Sequence, residues 1–150
     1  MTVIGTRTVQ ITTQEQLEAA FAIRRKVFIE EQNVPPEEEL DALDQTATHV
    51  LALGPDGRPV ATGRIIPYGE RTGKLQRIAV LREFRGGGYG RAVVEALEEI
   101  GRSMGFNRFV LGAQTHAEGF YRKLGYRTTS PEVFLDAGIP HVHMEKIVEA

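Results

Sequence analysis

Apolar and polar positions follow one another along the chain with periods that mark out most of its elements. Residues 7–12 set Val9 and Ile11 against polar neighbours, the two-residue period of a half-buried strand. Over residues 14–31, Leu17, Ala20, Phe21, Val27 and Phe28 recur at helical spacing. Thr12 or Thr13 can cap that helix, with Glu15 and Gln16 placed for a capping box. Arg24, Arg25 and Lys26 read as its solvated face. Pro35 and Pro36 end it, and Pro36 can open a short second helix.

Strand patterns dominate the next third. Residues 49–53 and 59–66 are apolar runs joined by Gly54-Pro55-Asp56-Gly57, a strong turn signal, so they form a hairpin. A second turn at 68–73 leads into a third run at 75–81. Val93, Val94, Leu97, Ile100 and Met104 then recur at helical spacing until Gly105 stops the helix. Residues 108–111 read as a buried strand, 116–124 as a helix closed by Gly125, 126–128 as a strand start and 139–147 as a last alternating strand. The segment 130–138 reads as a loop with one helical turn. This order, βαα-βββ-α-β-α-ββ, is one mixed α/β layer arrangement within a single domain spanning 1–150.

Composition narrows the function. At 41% hydrophobic and 25% charged, the chain is ordinary for a soluble globular protein. A net charge of −2 gives no basic excess for nucleic acid or a membrane surface. No cysteine is present, which removes disulfides, thiolate metal sites and a cysteine nucleophile. No apolar run approaches the ~18 residues of a membrane span, and the N-terminus lacks a signal-peptide core. A cytoplasmic location is the default expectation.

The chemistry concentrates between the third strand and the central helix. Arg85-Gly86-Gly87-Gly88-Tyr89-Gly90-Arg91 forms a strand–glycine loop–helix junction, where helix-start N–H groups and the helix dipole favour a phosphate. No Lys-Ser or Lys-Thr follows the glycines, so a kinase-type loop is excluded. The dinucleotide spacing G-x-G-x-x-G fails as well, since Val93 or Arg91 stands at its last place.

The spacing Arg85-x-x-Gly88-x-Gly90 resembles the acetyl-CoA pyrophosphate loop of the GNAT N-acetyltransferases, R/Q-x-x-G-x-G/A. Gly119-Phe120-Tyr121-Arg122-Lys123-Leu124-Gly125-Tyr126 resembles the family's segment F-Y-x-K-x-G-F/Y, one helix and one strand further on. Residues 24–35, 111–114 (Leu-Gly-Ala-Gln) and 137–141 (Ala-Gly-Ile-Pro-His) look like the ElaA-type subfamily, from about residue 16 to 146. Gly112 departs from that pattern, which favours a larger residue, and predicts looser packing there.

The resemblance implies a central mixed, mostly antiparallel sheet with a splayed parallel pair, formed by residues 76–81 and 107–114, and flanking helices. It implies direct acetyl transfer from the cosubstrate acetyl-CoA to a primary amine of a small molecule or peptide. Backbone groups of Ile78, Ala79 and Val80 would pair with the pantetheine arm and supply an oxyanion donor. Gly86, Gly87, Gly88, Tyr89 and Gly90, with Arg85 and Arg91 beside them, would hold the pyrophosphate. Tyr121 would protonate the leaving thiolate. Glu30 and Glu31 are the candidate bases, with Asp44, His49 and His116 as rivals. Gln32, Arg77, Gln114 and His141 are candidate acceptor-binding residues, the acceptor lying between 30–34 and 138–141. An amine acceptor and acetyl-CoA are the expected partners, with neither nucleic acid nor membrane; a homodimer is left open.

Some residues stay ambiguous. Five acidic residues between Glu37 and Asp44 read as a solvated helix start, or else as a lip that draws in a cationic amine. Arg64 and Arg77 interrupt apolar strands and need a carboxylate, either internal or on the acceptor. His141 and His143 share a strand face without an adjacent third ligand, so no metal is expected. An alternative to the enzyme is a non-catalytic acyl-CoA-binding module or sensor on the same fold.

Overall fold

In a computed structural model of the protein, residues 7–130 and 132–148 are described. Strand β1 (Arg7–Gln10) precedes helix α1 (Gln14–Arg24). Thr13 caps α1 by accepting from the Gln16 N–H, and Gln16 returns its side chain to the cap backbone. The expected long helix is interrupted: after Arg24 the chain winds as a π-helix over Arg25–Glu31. Helix α2 (Pro36–Glu39) then starts on proline, as the sequence predicts.

Three antiparallel strands follow, β2 (Thr48–Leu53), β3 (Pro59–Gly69) and β4 (Thr72–Val80). The turn expected over 68–73 is tighter than that, because both strands extend into it. Helix α3 (Tyr89–Ser103), strand β5 (Arg108–Gln114), helix α4 (Glu118–Lys123) and strands β6 (Arg127–Thr128), β7 (Phe134–Asp136) and β8 (Ile139–Ile147) complete the chain. The helical turn expected within 130–138 is instead strand β7, hairpinned onto β8 through Ala137 and Gly138, both at positive φ. Pro131 of that stretch lies outside the described residues.

The eight strands form one sheet, in the order β1-β2-β3-β4-β5-β8-β6, with β7 also on β8. Among the described residues only β4 and β5 pair in parallel. On one face α3 buries Val93, Val94 and Leu97 completely, which stabilises by ~1.5–3 kcal/mol for each side chain. Helix α1 and the π-helical turn after it cover the other face over β2–β4, through Ala20 and Ile23 and through Val27. That second layer stops at β4, so the same face stays open over β5, β8 and β7. Among the described residues no helix is long and apolar enough to cross a membrane.

An ion-pair network pins the 36–45 segment to the sheet. Arg24, only 1% exposed, donates to Glu39 at 2.7 Å and to Asp44 at 2.7 Å. Arg64, fully buried, donates to Asp44 at 2.7 Å, to Asp41 at 2.8 Å and to Gln76 at 2.8 Å. Arg24 is therefore not part of a solvated face, although Arg25 and Lys26 are exposed. The acidic segment splits likewise: Glu37 and Glu38 are solvated, while Glu39 and Asp44 are buried counterions rather than a lip for amines. Burial disfavours the Asp44 charge, but the hydrogen bonds and charges of Arg24 and Arg64 still hold its carboxyl below the usual range.

Candidate active site

The site begins where two strands part. Strands β4 and β5 pair through Thr72–Arg108, Gly73–Phe109 and Lys74–Val110, and no further. Beyond Lys74 the β5-facing edge of β4 has no strand beside it. Opposite β3 the register slips between Thr62–Ala79 and Arg64–Gln76, so β4 carries one extra residue. Arg77 takes up that bulge at φ 58°, a conformation a non-glycine residue rarely adopts. The bulge and the parting together leave backbone groups of Ile78, Ala79 and Val80 facing a cleft of about 410 Å³.

The glycine loop lies beyond the end of β4. Gly86 and Gly88 sit at φ 85° and 87°, and Gly88 is the residue from which α3 starts. The first N–H groups of α3 have no partner within the helix, and no side chain caps them. Gly90 sits in the first turn, where a Cβ would lie 3.2 Å from the Phe120 ring of α4. Arg85 turns back from the loop: its Nε donates to Val80 O at 3.1 Å, and its two terminal nitrogens donate to Glu31 at 3.0 and 2.8 Å. Arg91 is turned away from the loop and pairs with Glu95 on the surface of α3.

Tyr121 comes to the cleft from α4 and is 9% exposed. Its ring packs edge-on against Phe120 at 4.9 Å and Tyr126 at 5.9 Å. Burial pushes its hydroxyl pKa up, so the phenol keeps its proton at neutral pH. Of the base candidates, Glu30 is exposed and outside the cleft lining. Glu31 is tied to Arg85, whose hydrogen bonds hold its carboxyl below the usual range. His49 is buried beside the Arg24–Asp44–Arg64 network, and Asp44 is spent within it.

The two segments expected to flank the acceptor both line the cleft, through Gln32 and Val34 on one side and Ile139 and His141 on the other. Gln114 at the end of β5 donates to Gln32 at 3.0 Å across the cleft. His116 Nε2 lies 2.7 Å from Gln114 Oε1. His141 stands opposite Gln114 in the sheet, on the open face. Arg77 reaches the cleft but is held by Glu39 at 3.2 Å and Asp41 at 3.3 Å. Both Arg64 and Arg77 thus find internal carboxylates. Phe134 was hidden in the sequence by its apparent loop. Its ring stacks on His143 at 4.2 Å and on His141 at 5.5 Å, and lies over Gly112, where a Cβ would come within 3.1 Å of it. Gly112 therefore makes room for an aromatic wall. No group of three metal-ligating side chains gathers among the described residues.

A parted parallel pair, a bulged strand and a glycine loop at a helix start thus surround one cleft, and sequence comparison decides the family. The profile described as the acetyltransferase (GNAT) family matches residues 17–126. The chain belongs to that family. It is 46% identical over 134 residues to the uncharacterised N-acetyltransferase YjcF of Bacillus subtilis, covering 89% of this chain and 94% of that one. Escherichia coli ElaA superposes with a TM-score of 0.80 at 26% identity, covering 94% of this chain and 99% of that one. An acyl-CoA N-acyltransferase from Pseudomonas aeruginosa gives a TM-score of 0.81, also at 26% identity, with coverage of 94% and 99%. These likenesses bear out the GNAT fold and the ElaA-like resemblance. The GNAT chain is an acetyl-CoA-dependent transferase.

Proposed function

We propose that the protein transfers the acetyl group of acetyl-CoA directly to a primary amine of a small molecule or peptide. The observation that carries this reading is the parting of β4 from β5 after Lys74 and Val110, with the buried Tyr121 on the same cleft. Acetyl-CoA supplies an activated acyl carbon, and every other task falls to the chain. The open edge of β4 at 78–80, where Arg85 already holds the Val80 carbonyl, offers strand-like hydrogen bonds to an extended amide-bearing arm. An N–H there is the donor for negative charge developing on the carbonyl oxygen. The N–H groups of residues 86–90 and the positive end of α3 suit the pyrophosphate. Arg85, paired with Glu31, braces the loop against the π-helical segment.

Tyr121 is the acid in this scheme. A phenol that burial keeps protonated can donate to a leaving thiolate without competing as a base. The acceptor enters over the open face of β5, β8 and β7, between Gln32 and His141. Screening a library of amines for thiol release from acetyl-CoA tests the reading. Release that depends on the amine, with acetylated product, supports it. Saturable acetyl-CoA binding without turnover on any amine favours a non-catalytic acyl-CoA-binding module.

A further inference from the structure

We propose that His141 is the general base that takes the proton from the acceptor's ammonium group, a role that rests on the acetyltransferase reading above. His141 Nδ1 lies 2.6 Å from the carbonyl oxygen of Ile139. A carbonyl only accepts, so Nδ1 carries the hydrogen and the neutral ring presents Nε2 as a bare acceptor. Nε2 has no hydrogen-bond partner among the described residues, yet no fully buried side-chain nitrogen or oxygen there lacks one. Nε2 therefore opens onto the cleft that His141 lines together with Ile78–Val80 and Tyr121. Stacking on Phe134 at 5.5 Å and 29° and a residue exposure of only 8% fix the ring plane.

No rival combines these features. Glu31 is engaged by Arg85, His49 Nε2 donates to Asp44 O at 3.0 Å, and His116 is exposed and spends Nε2 on Gln114. The charged and titratable groups around the same cleft are His143 on β8, Asp136 on β7, Lys74 and Arg77 on β4, Glu38 and Glu39 on α2, Arg85 beside the glycine loop, His116 after β5 and Tyr121 on α4. Nε2 takes one ammonium proton, and the freed nitrogen pair forms the N–C bond to the acetyl carbon. The C–S bond then breaks with its pair on sulfur. Sulfur takes a proton from Tyr121, which is reprotonated by the nitrogen's next proton as the amide forms. The imidazolium returns its proton to solvent.

Two measurements test this. In ¹⁵N-labelled protein without ligand, the His141 resonances, assigned by their loss in His141→Asn, should show a protonated-type Nδ1 and an unprotonated-type Nε2 in the neutral ring; the reverse tautomer overturns the proposal. The Asn amide can still donate to Ile139 O, which keeps that local bond. The second measurement uses acetyl-CoA with benzylamine, an ammonium near neutral pH, and with hydroxylamine, a free base at the same pH. His141→Asn should lower kcat with benzylamine at least about tenfold and change kcat with hydroxylamine by less than about threefold. Raising the pH should restore the benzylamine rate. Equal losses with both nucleophiles, or no loss with either, overturn the proposal. Wild-type protein that releases thiol to no amine of the screened library would remove the acetyltransferase reading, and this role with it, whereas a failure confined to His141 leaves wild-type release intact.

Discussion

Gly88 stands at φ 87° with nothing within 4 Å of where a Cβ would be, so a side chain there is strained by conformation and not by crowding. Gly88→Val should cost about 1–2 kcal/mol of stability. It should also remove the rise in Tm that CoA gives the wild type, which corresponds to about 2.7 kcal/mol at 100 times the dissociation constant. Thermal melts with and without CoA check both parts, and an unchanged shift would put the pyrophosphate elsewhere. Tyr121 makes the opposite kind of test. Phenylalanine keeps the ring and its edge contacts to Phe120 and Tyr126, so stability should hold. With an amine found by the thiol-release screen, Tyr121→Phe should lower kcat at least about tenfold with little change in CoA affinity. A variant that turns over like the wild type, with chemistry limiting the rate, would make Tyr121 a packing residue.

The second helix and the 3₁₀ turn after it, Ala42–Gln45, hold their place through ions rather than apolar area, because α2 is only Pro36–Glu39 and Leu40 and Leu43 are exposed. Arg64→Met should therefore be costly. It strips Asp41 of its closest cation and leaves Asp44 to Arg24 alone, and losing one partner of a buried pair costs ~3–5 kcal/mol. Urea denaturation should show that loss as a lower midpoint at unchanged slope. The same network marks where sequence reading stops. Periodicity located the amphipathic α3, and turn chemistry located the β2–β3 hairpin, because each depends on neighbouring residues. The need of Arg64 for a carboxylate was legible, since an arginine in an apolar strand cannot stay unpaired. That Arg24 is buried was not, because its partners lie 15 and 20 residues away in a segment that reads as solvated. Strand β7 was hidden for a related reason: three residues carry too little pattern, and their pairing is with β8. The glycine loop and Tyr121 were visible as motifs, while the aromatic wall of Phe134 over Gly112 depends on a cross-strand contact that no local window contains.

Across the whole molecule, two layers share one sheet unequally, and the candidate cleft is the part of one face that the first helix leaves uncovered. Stability and site are thus coupled through the segment that joins them, and pH should reveal it. His49, 5% exposed, lies under that segment with Nε2 on Asp44 O. Burial is the main influence pushing its imidazole pKa down, against the opposing pull of the Asp44 carbonyl and charge. The unfolded chain titrates near the ordinary value of about 6.5. Between that value and the lower folded one, the unfolded state holds a proton that the folded state does not. Stability is therefore fully present above about pH 6.5 and falls as the pH drops through this window. Asp41 and Asp44 act further down: their hydrogen-bonded carboxyls sit below the usual range, so their contribution is present above about pH 4 and lost as the pH falls through the folded values. Unfolding free energy should decline in two stages on acidification. His49→Gln, which can still donate to the Asp44 carbonyl, should flatten the first stage and leave the second. Urea melts of both proteins at closely spaced pH values separate the stages. A first stage of equal slope in the variant would assign it to groups other than His49.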